Sequence, residues 1–182
     1  AHTTTGTMTV YAQQFFGQWP SVALLALVAA MLFGACAAST GGGFKALRIA
    51  VLFKALVQDI KRLALPSSAV VVAKVHHIRT VIVEDALVRN CALVVLSYLG
   101  CFAVLSTIGV AYGYPVDDSM FEAASATGNV GLTCGVTTPT MPALMKVVYI
   151  LGMYAGRLEF WALNVLIAFA ASTAFGVRGR VR

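Results

Sequence analysis

Apolar and polar positions along this chain alternate over whole segments rather than residue by residue. Residues 1–19 are polar and begin Thr-rich, with Thr3-Thr4-Thr5-Gly6-Thr7, and they close on Gly17-Gln18-Trp19-Pro20. Trp suits a membrane interface and Pro20 the first turn of a helix. Residues 20–38 are almost purely apolar and approach the length of a bilayer span. Ser39-Thr40-Gly41-Gly42-Gly43 breaks that segment, because consecutive glycines oppose helix strongly. Helical pattern resumes at Phe44, with Lys45, Arg48, Lys54, Lys61 and Arg62 set among apolar residues, and stops at Leu65-Pro66. Residues 66–83 hold a β-branched run, Val70-Val71-Val72, followed by Lys74, His76, His77 and Arg79, and read as either a short hairpin or a loop.

The second half repeats the theme. A polar helix start at 84–90 leads into an apolar segment at 91–112, about one span long. Gly113-Tyr114-Pro115 ends it, and Asp117-Asp118-Ser119 offers N-caps for a helix over 119–126, too short to span. That helix runs directly into Thr127-Gly128-Asn129-Val130-Gly131. Inside a bilayer, irregular backbone survives only where protein buries it or where it lines a wet cavity. Backbone carbonyls in such a loop replace the hydration shell of a cation, and Gly lets the chain turn so that they face the ion. The pattern therefore predicts a re-entrant pore helix with its filter, against the plainer alternative of a Gly-containing turn. Residues 133–141 return to the surface, residues 142–175 read as one helix longer than a span, and the chain closes on Arg178, Arg180 and Arg182.

Composition changes the picture from helical to membranous. Of 182 residues 59% are hydrophobic and only 11% charged, with a mean hydropathy of +0.85, whereas soluble domains carry roughly a quarter charged residues. The net charge of +6 is no nucleic-acid footprint, since the basic residues cluster beside apolar segments. Residues 45–89 and the tail are Lys/Arg-rich, while 112–141 holds Asp117, Asp118 and Glu122 without a Lys or Arg. The positive-inside rule puts the basic regions and the C-terminus in the cytoplasm and the filter loop outside. Cys36, Cys91, Cys101 and Cys134 stand singly, which indicates neither zinc nor a disulfide framework. His2, His76 and His77 have no candidate nucleophile nearby in sequence, and no nucleotide-binding fingerprint occurs, so an enzyme is not expected. The opening Ala1-His2-Thr3, with no initiator Met or signal peptide, reads as the continuation of something longer.

Two units repeat in the same direction. Thr3-Thr4-Thr5-Gly6 precedes Trp19-Pro20 and an apolar helix; Thr127-Gly128-Asn129-Val130-Gly131 precedes Met141-Pro142 and another. Similar units around one pore would each contribute a filter strand. Ala35 lies fifteen residues after Pro20, and Arg157 fifteen after Pro142, a rise of about 22 Å in each helix. Arg157 and the start of the glycine break thus fall at matching depth. A charge inside a membrane helix is costly, so Arg157 reads as a cation placed in an ion pathway, or else as half of an ion pair with a glutamate on a neighbouring helix.

Three motifs in order, G-A-C-A-A-S-T-G-G-G-F-K (Gly34 to Lys45), F-E-A-A-S-A-T-G-N-V-G-L (Phe121 to Leu132) and G-R-L-E-F (Gly156 to Phe160), resemble the Trk/Ktr/HKT superfamily of potassium transporters, and most nearly its Trk-type pore subunit. The resemblance implies an all-α integral membrane fold, with four helix–pore loop–helix repeats around one potassium-channel-like pore. This chain corresponds to the C-terminal part: residues 1–65 end the third repeat, 66–83 connect on the cytoplasmic side, and 84–182 form the fourth. Carried over, Thr4, Thr5, Gly6 and Thr7 match the third filter strand and Asn129, Val130, Gly131 and Leu132 the fourth, with K⁺ at these residues. Gly6 and Gly131 match the filter glycines associated with potassium preference. Ser39, Thr40, Gly41, Gly42 and Gly43 resemble the intramembrane loop that obstructs the pore, and Arg157 the arginine that projects under the filter. Ala38 departs from the pattern, where glycine is common. The family implies potassium uptake, no covalently bound cofactor, a homodimer in the inner cell membrane, and a cytoplasmic nucleotide-binding regulatory subunit. The alternatives are a secondary transporter with discontinuous helices, a sodium-permeable member of the same family, or an anchor subunit that transports nothing.

Overall fold

Pro20, with extended backbone (φ −69°, ψ 149°), starts the first helix, α1, at Ser21–Phe33. The computed structural model describes residues 1–7, 19–34, 41–64, 74–77, 79–82 and 85–174. α1 is shorter than the apolar run over 20–38 predicts, because Gly34 takes a left-handed φ of +62° and turns the chain five residues before Ser39. A Cβ on Gly34 would lie 2.4 Å from the Gly42 carbonyl oxygen, so the two sides of the break meet backbone to backbone. Ser39 and Thr40 lie outside the described residues. After Lys45, also at positive φ, the chain forms α2 (Ala46–Ala64).

The region left open between hairpin and loop contains a hairpin: β1 (Lys74–His77) pairs antiparallel with β2 (Arg79–Ile82). It is the one departure from helix among the regular elements of the described residues. α3 (Asp85–Ala111) follows and is the single unbroken helix among the described residues that is long and apolar enough to cross a membrane. α4 (Val116–Thr127) starts earlier than expected. Its N-cap is Pro115 and makes no side-chain cap bond, which corrects the assignment of the caps to Asp117, Asp118 and Ser119. Asp117 and Asp118 sit in the first turn, where their charge complements the helix dipole.

Residues 142–175 do not form one helix. They form α5 (Ala143–Arg157) and α6 (Trp161–Ala174), bent by 106°. Glu159 and Phe160 both take φ of +57° at the break, a conformation uncommon for non-glycine residues. Tertiary contacts hold them there: the Glu159 carboxylate bonds Lys45 and Arg48, and Phe160 is buried.

Packing centres on α4. It lies against α1, α3 and α5, and every residue from Phe121 to Thr127 is buried. Phe121 and Ala124 join Val28 and Met31 of α1 in one apolar cluster with Val130 and Leu132. Ala123 and Ala126 join Leu105 of α3 and Met145 and Tyr149 of α5 in another. Small residues along F-E-A-A-S-A-T let three helices approach closely. The outer faces of α3, α5 and α6 stay apolar and exposed, with Leu96, Ile150 and Phe169 each more than 60% accessible.

Candidate ion pathway

α4 ends by handing its chain to an irregular, glycine-bearing segment. The Gly128 N–H donates to the Ala124 carbonyl at 2.9 Å, and Asn129 then turns at φ +51°. The Val130 N–H donates to the Ser125 carbonyl at 2.9 Å, and Ser125 Oγ donates to the Leu132 carbonyl at 2.5 Å. Gly131 lies between these two ties at φ +84°, exposed, and its nearest non-neighbour is Gly6 Cα, 4.0 Å from where a Cβ would stand. Asn129 Nδ2 donates to the Met153 carbonyl of α5 at 3.1 Å.

The N-terminal Thr/Gly segment meets this one. Thr4 (φ +51°) donates its N–H to the Ala1 carbonyl at 3.0 Å, and Gly6 follows at φ +72°. A Cβ on Gly6 would sit 2.2 Å from the Val130 carbonyl oxygen, an approach that only glycine permits. The glycine segment after α1 arrives from another side. A Cβ on Gly42 would stand 2.0 Å from the Gly128 carbonyl oxygen, and one on Gly156 of α5 would stand 2.0 Å from that of Thr127. Three glycines therefore let three backbones close on the end of α4.

These segments border an open cavity of about 280 Å³ lined by Thr3, Thr4, Thr5, Gly41, Gly42, Asn129 and Arg157. Members of both Thr/Gly segments, the glycine break and the arginine thus share one polar space. Not every expected residue lines it. Gly6, Val130 and Gly131 lie beside it where the two segments meet, and Thr7 is exposed. Gly43 instead donates its N–H to Tyr98 Oη at 3.1 Å. Leu132 is buried against α1, with its carbonyl taken by Ser125 rather than free for an ion.

Sequence reasoning missed three contributors. Tyr98 of α3 stacks edge-on against Phe44 and Phe160, with centroids at 5.1 and 5.2 Å. The second is an ionic clasp. Glu159 binds buried Lys45 through Oε1 and Arg48 Nη2 through Oε2, the latter at 2.7 Å. Glu159 thus pairs away from Arg157, joining the two helix breaks. The third is Glu122, 3% exposed on α4, which accepts from Thr133, Cys134 and Thr137. Burial first, then the charge of Glu122, pushes the Cys134 thiol up, so it stays protonated as a donor. The one signal for Glu122 was a lone acid among small and apolar residues.

A short central helix thus ends in a glycine-bearing segment beside a polar cavity that a helix break and an arginine also line. Residues 3–175 match the family described as cation transport protein, TrkH, and the chain belongs to it. It is 34% identical over 170 residues to an uncharacterized cation transporter of Methanocaldococcus jannaschii, covering 93% of this chain and 34% of that one. It is 29% identical to the Trk system potassium uptake protein TrkG of Escherichia coli, covering 86% of this chain and 32% of TrkG. The crystal structure of the potassium transporter TrkH from Vibrio parahaemolyticus superposes with a TM-score of 0.73 at 27% identity, over 91% of this chain and 34% of that one. The chain therefore spans about a third of the length of these relatives. The family is one of membrane cation transporters and not of enzymes, as the Trk-type resemblance implied.

Proposed function

We propose that this chain forms the C-terminal part of a potassium uptake pore, with two of its four filter strands and an intramembrane gate. The observation that carries this reading is the polar cavity shared by Thr3–Thr5, Gly41, Gly42, Asn129 and Arg157. Threonine hydroxyls and backbone carbonyls suit a cation that has shed water. Carbonyls of Thr4, Thr5, Gly6 and Thr7, and of Asn129, Val130 and Gly131, supply the filter; Leu132 ends it. The glycine segment, Ser39 to Gly43, is the gate, and Arg157 opposes it with a charge that repels a cation leaving the filter.

The whole transporter is a multi-pass protein of the inner cell membrane. Residues 1–65 and 84–182 belong to its third and fourth repeats, joined by 66–83, and the basic regions and C-terminus face the cytoplasm. It works as a homodimer with a cytoplasmic nucleotide-binding regulatory subunit, which the basic stretch from Lys54 to Arg79 meets. The names of TrkG and its relatives as parts of a Trk system potassium uptake apparatus support both the ion and the need for partners.

Rubidium uptake by potassium-starved cells carrying the complete chain tests the reading. Saturable uptake that excess potassium suppresses and sodium does not is expected; sodium uptake at equal rate assigns the chain to a sodium-permeable transporter instead. The two helix breaks also fit a carrier with discontinuous helices. That carrier would show no single-channel currents in a bilayer, whereas the pore shows them.

A further inference from the structure

We infer that Glu122, on the face of α4 behind the filter strand, is a positioning residue that sets cation preference by holding the outer end of that strand. The inference rests on the filter assignment proposed above. A carboxylate buried to 3% exposure is costly unless its oxygens are satisfied. Here they are satisfied by four donors from the chain just after the filter. Oε1 accepts from Thr133 Oγ1 at 2.9 Å and from the Thr137 N–H at 3.2 Å. Oε2 accepts from the Cys134 N–H at 3.0 Å and from Cys134 Sγ at 3.1 Å. The ion pairs of the described residues involve Glu159 and Asp59, not Glu122.

The position of this acid gives it leverage over the filter. One turn further along α4, Ser125 ties down Val130 and Leu132. Glu122 ties down residues 133, 134 and 137. Gly131 carries no side chain to anchor it and stands between the tied residues Val130 and Leu132, so the ties on either side aim its carbonyl. Ion preference depends on carbonyl placement at the scale of about 0.5 Å. Charge-assisted bonds hold such placement better than neutral ones.

The test uses the complete transporter in cells and purified in detergent. It measures rubidium-over-sodium uptake per inserted protein, and the difference in melting temperature between potassium and sodium buffers. Glu122→Gln keeps the shape but sets an amide NH2 against a donor. It should lower the rubidium-over-sodium ratio roughly tenfold at normal insertion, and shrink the melting difference. Thr133→Val, which removes one donor and leaves the acid in place, should lower the ratio by a smaller factor. It should have no further effect in the Glu122→Gln background. Glu122→Asp keeps the charge but withdraws it from its partners, so its ratio should also fall. A wild-type ratio in Glu122→Asp would make charge alone the cause and overturn the positioning role. Should Glu122→Gln fail to insert, Thr133→Val decides: an unchanged ratio and melting difference overturn the inference. Wild-type protein that takes up no rubidium defeats the transport reading instead, and the potassium-over-sodium melting difference still tests the anchor.

Discussion

Gly131 has a φ of +84° and open space around it, so a substitution there meets backbone strain rather than a clash. Gly131→Ser should lower potassium-over-sodium preference by roughly tenfold while the protein still inserts, because the strand must leave the conformation that aims its carbonyls. Relative permeability read from reversal potentials checks this, and an unchanged value would remove Gly131 from the filter. Gly42 presents the opposite case, with an ordinary φ but the Gly128 carbonyl in the way. Gly42→Ala should cost about 1–3 kcal/mol of stability by overpacking and appear as a lower melting temperature of the complete transporter. These glycines were legible as a class from sequence, since T-G-N-V-G and S-T-G-G-G stand between apolar segments. Their different reasons were not, because each depends on a backbone more than thirty residues away or on a dihedral. Glu122 shows the same limit. An acid on a helix resembles a solvated charge until the donors at 133, 134 and 137 fold back over it.

At the scale of elements, α4 was readable from its length and from the glycine-bearing segment it feeds. The break between α5 and α6 was not. G-R-L-E-F holds no Pro, and its Gly156 lies inside the last turn of α5 rather than at the kink. The kink comes from Lys45 and Arg48 drawing on Glu159 and from the pocket that Tyr98 and Phe44 make for Phe160. Phe44, Lys45 and Arg48 belong to a segment more than a hundred residues earlier, and Tyr98 to a different helix. Glu159→Gln should therefore release the glycine segment as well as the kink. It leaves buried Lys45 without its counter-charge, at a cost of about 1–3 kcal/mol, moderated because the Glu159 side chain is 40% exposed. Resting rubidium flux per inserted protein should rise. Arg157→Ala should raise it too, by removing the repelling charge. Flux that falls in both variants at normal insertion would mean that these groups do not close the path.

Over the whole molecule, residues of the two Thr/Gly segments line one cavity, and the chain covers about a third of the length of its relatives. On the proposed four-strand reading, the two segments of this chain supply half a ring of carbonyls. The 182-residue chain by itself, reconstituted in a bilayer, should give no potassium-selective conductance, and a selective current from it would contradict the four-strand pore. The exposed apolar faces of α3 and α5 supply surface for the rest of such a ring or for lipid. The 106° turn between α5 and α6 has a mechanical consequence. α6 is a stiff arm about 21 Å long, set nearly square to α5. Its root is Phe160, buried against Tyr98, beside the Glu159 that grips Lys45. A sideways pull on its far end acts as torque on Phe44 and Lys45, at the edge of the glycine segment. A straight helix would pass on only thrust along its axis; this crank turns lateral motion near Ala174 into rotation beside the cavity that Gly41 and Gly42 line.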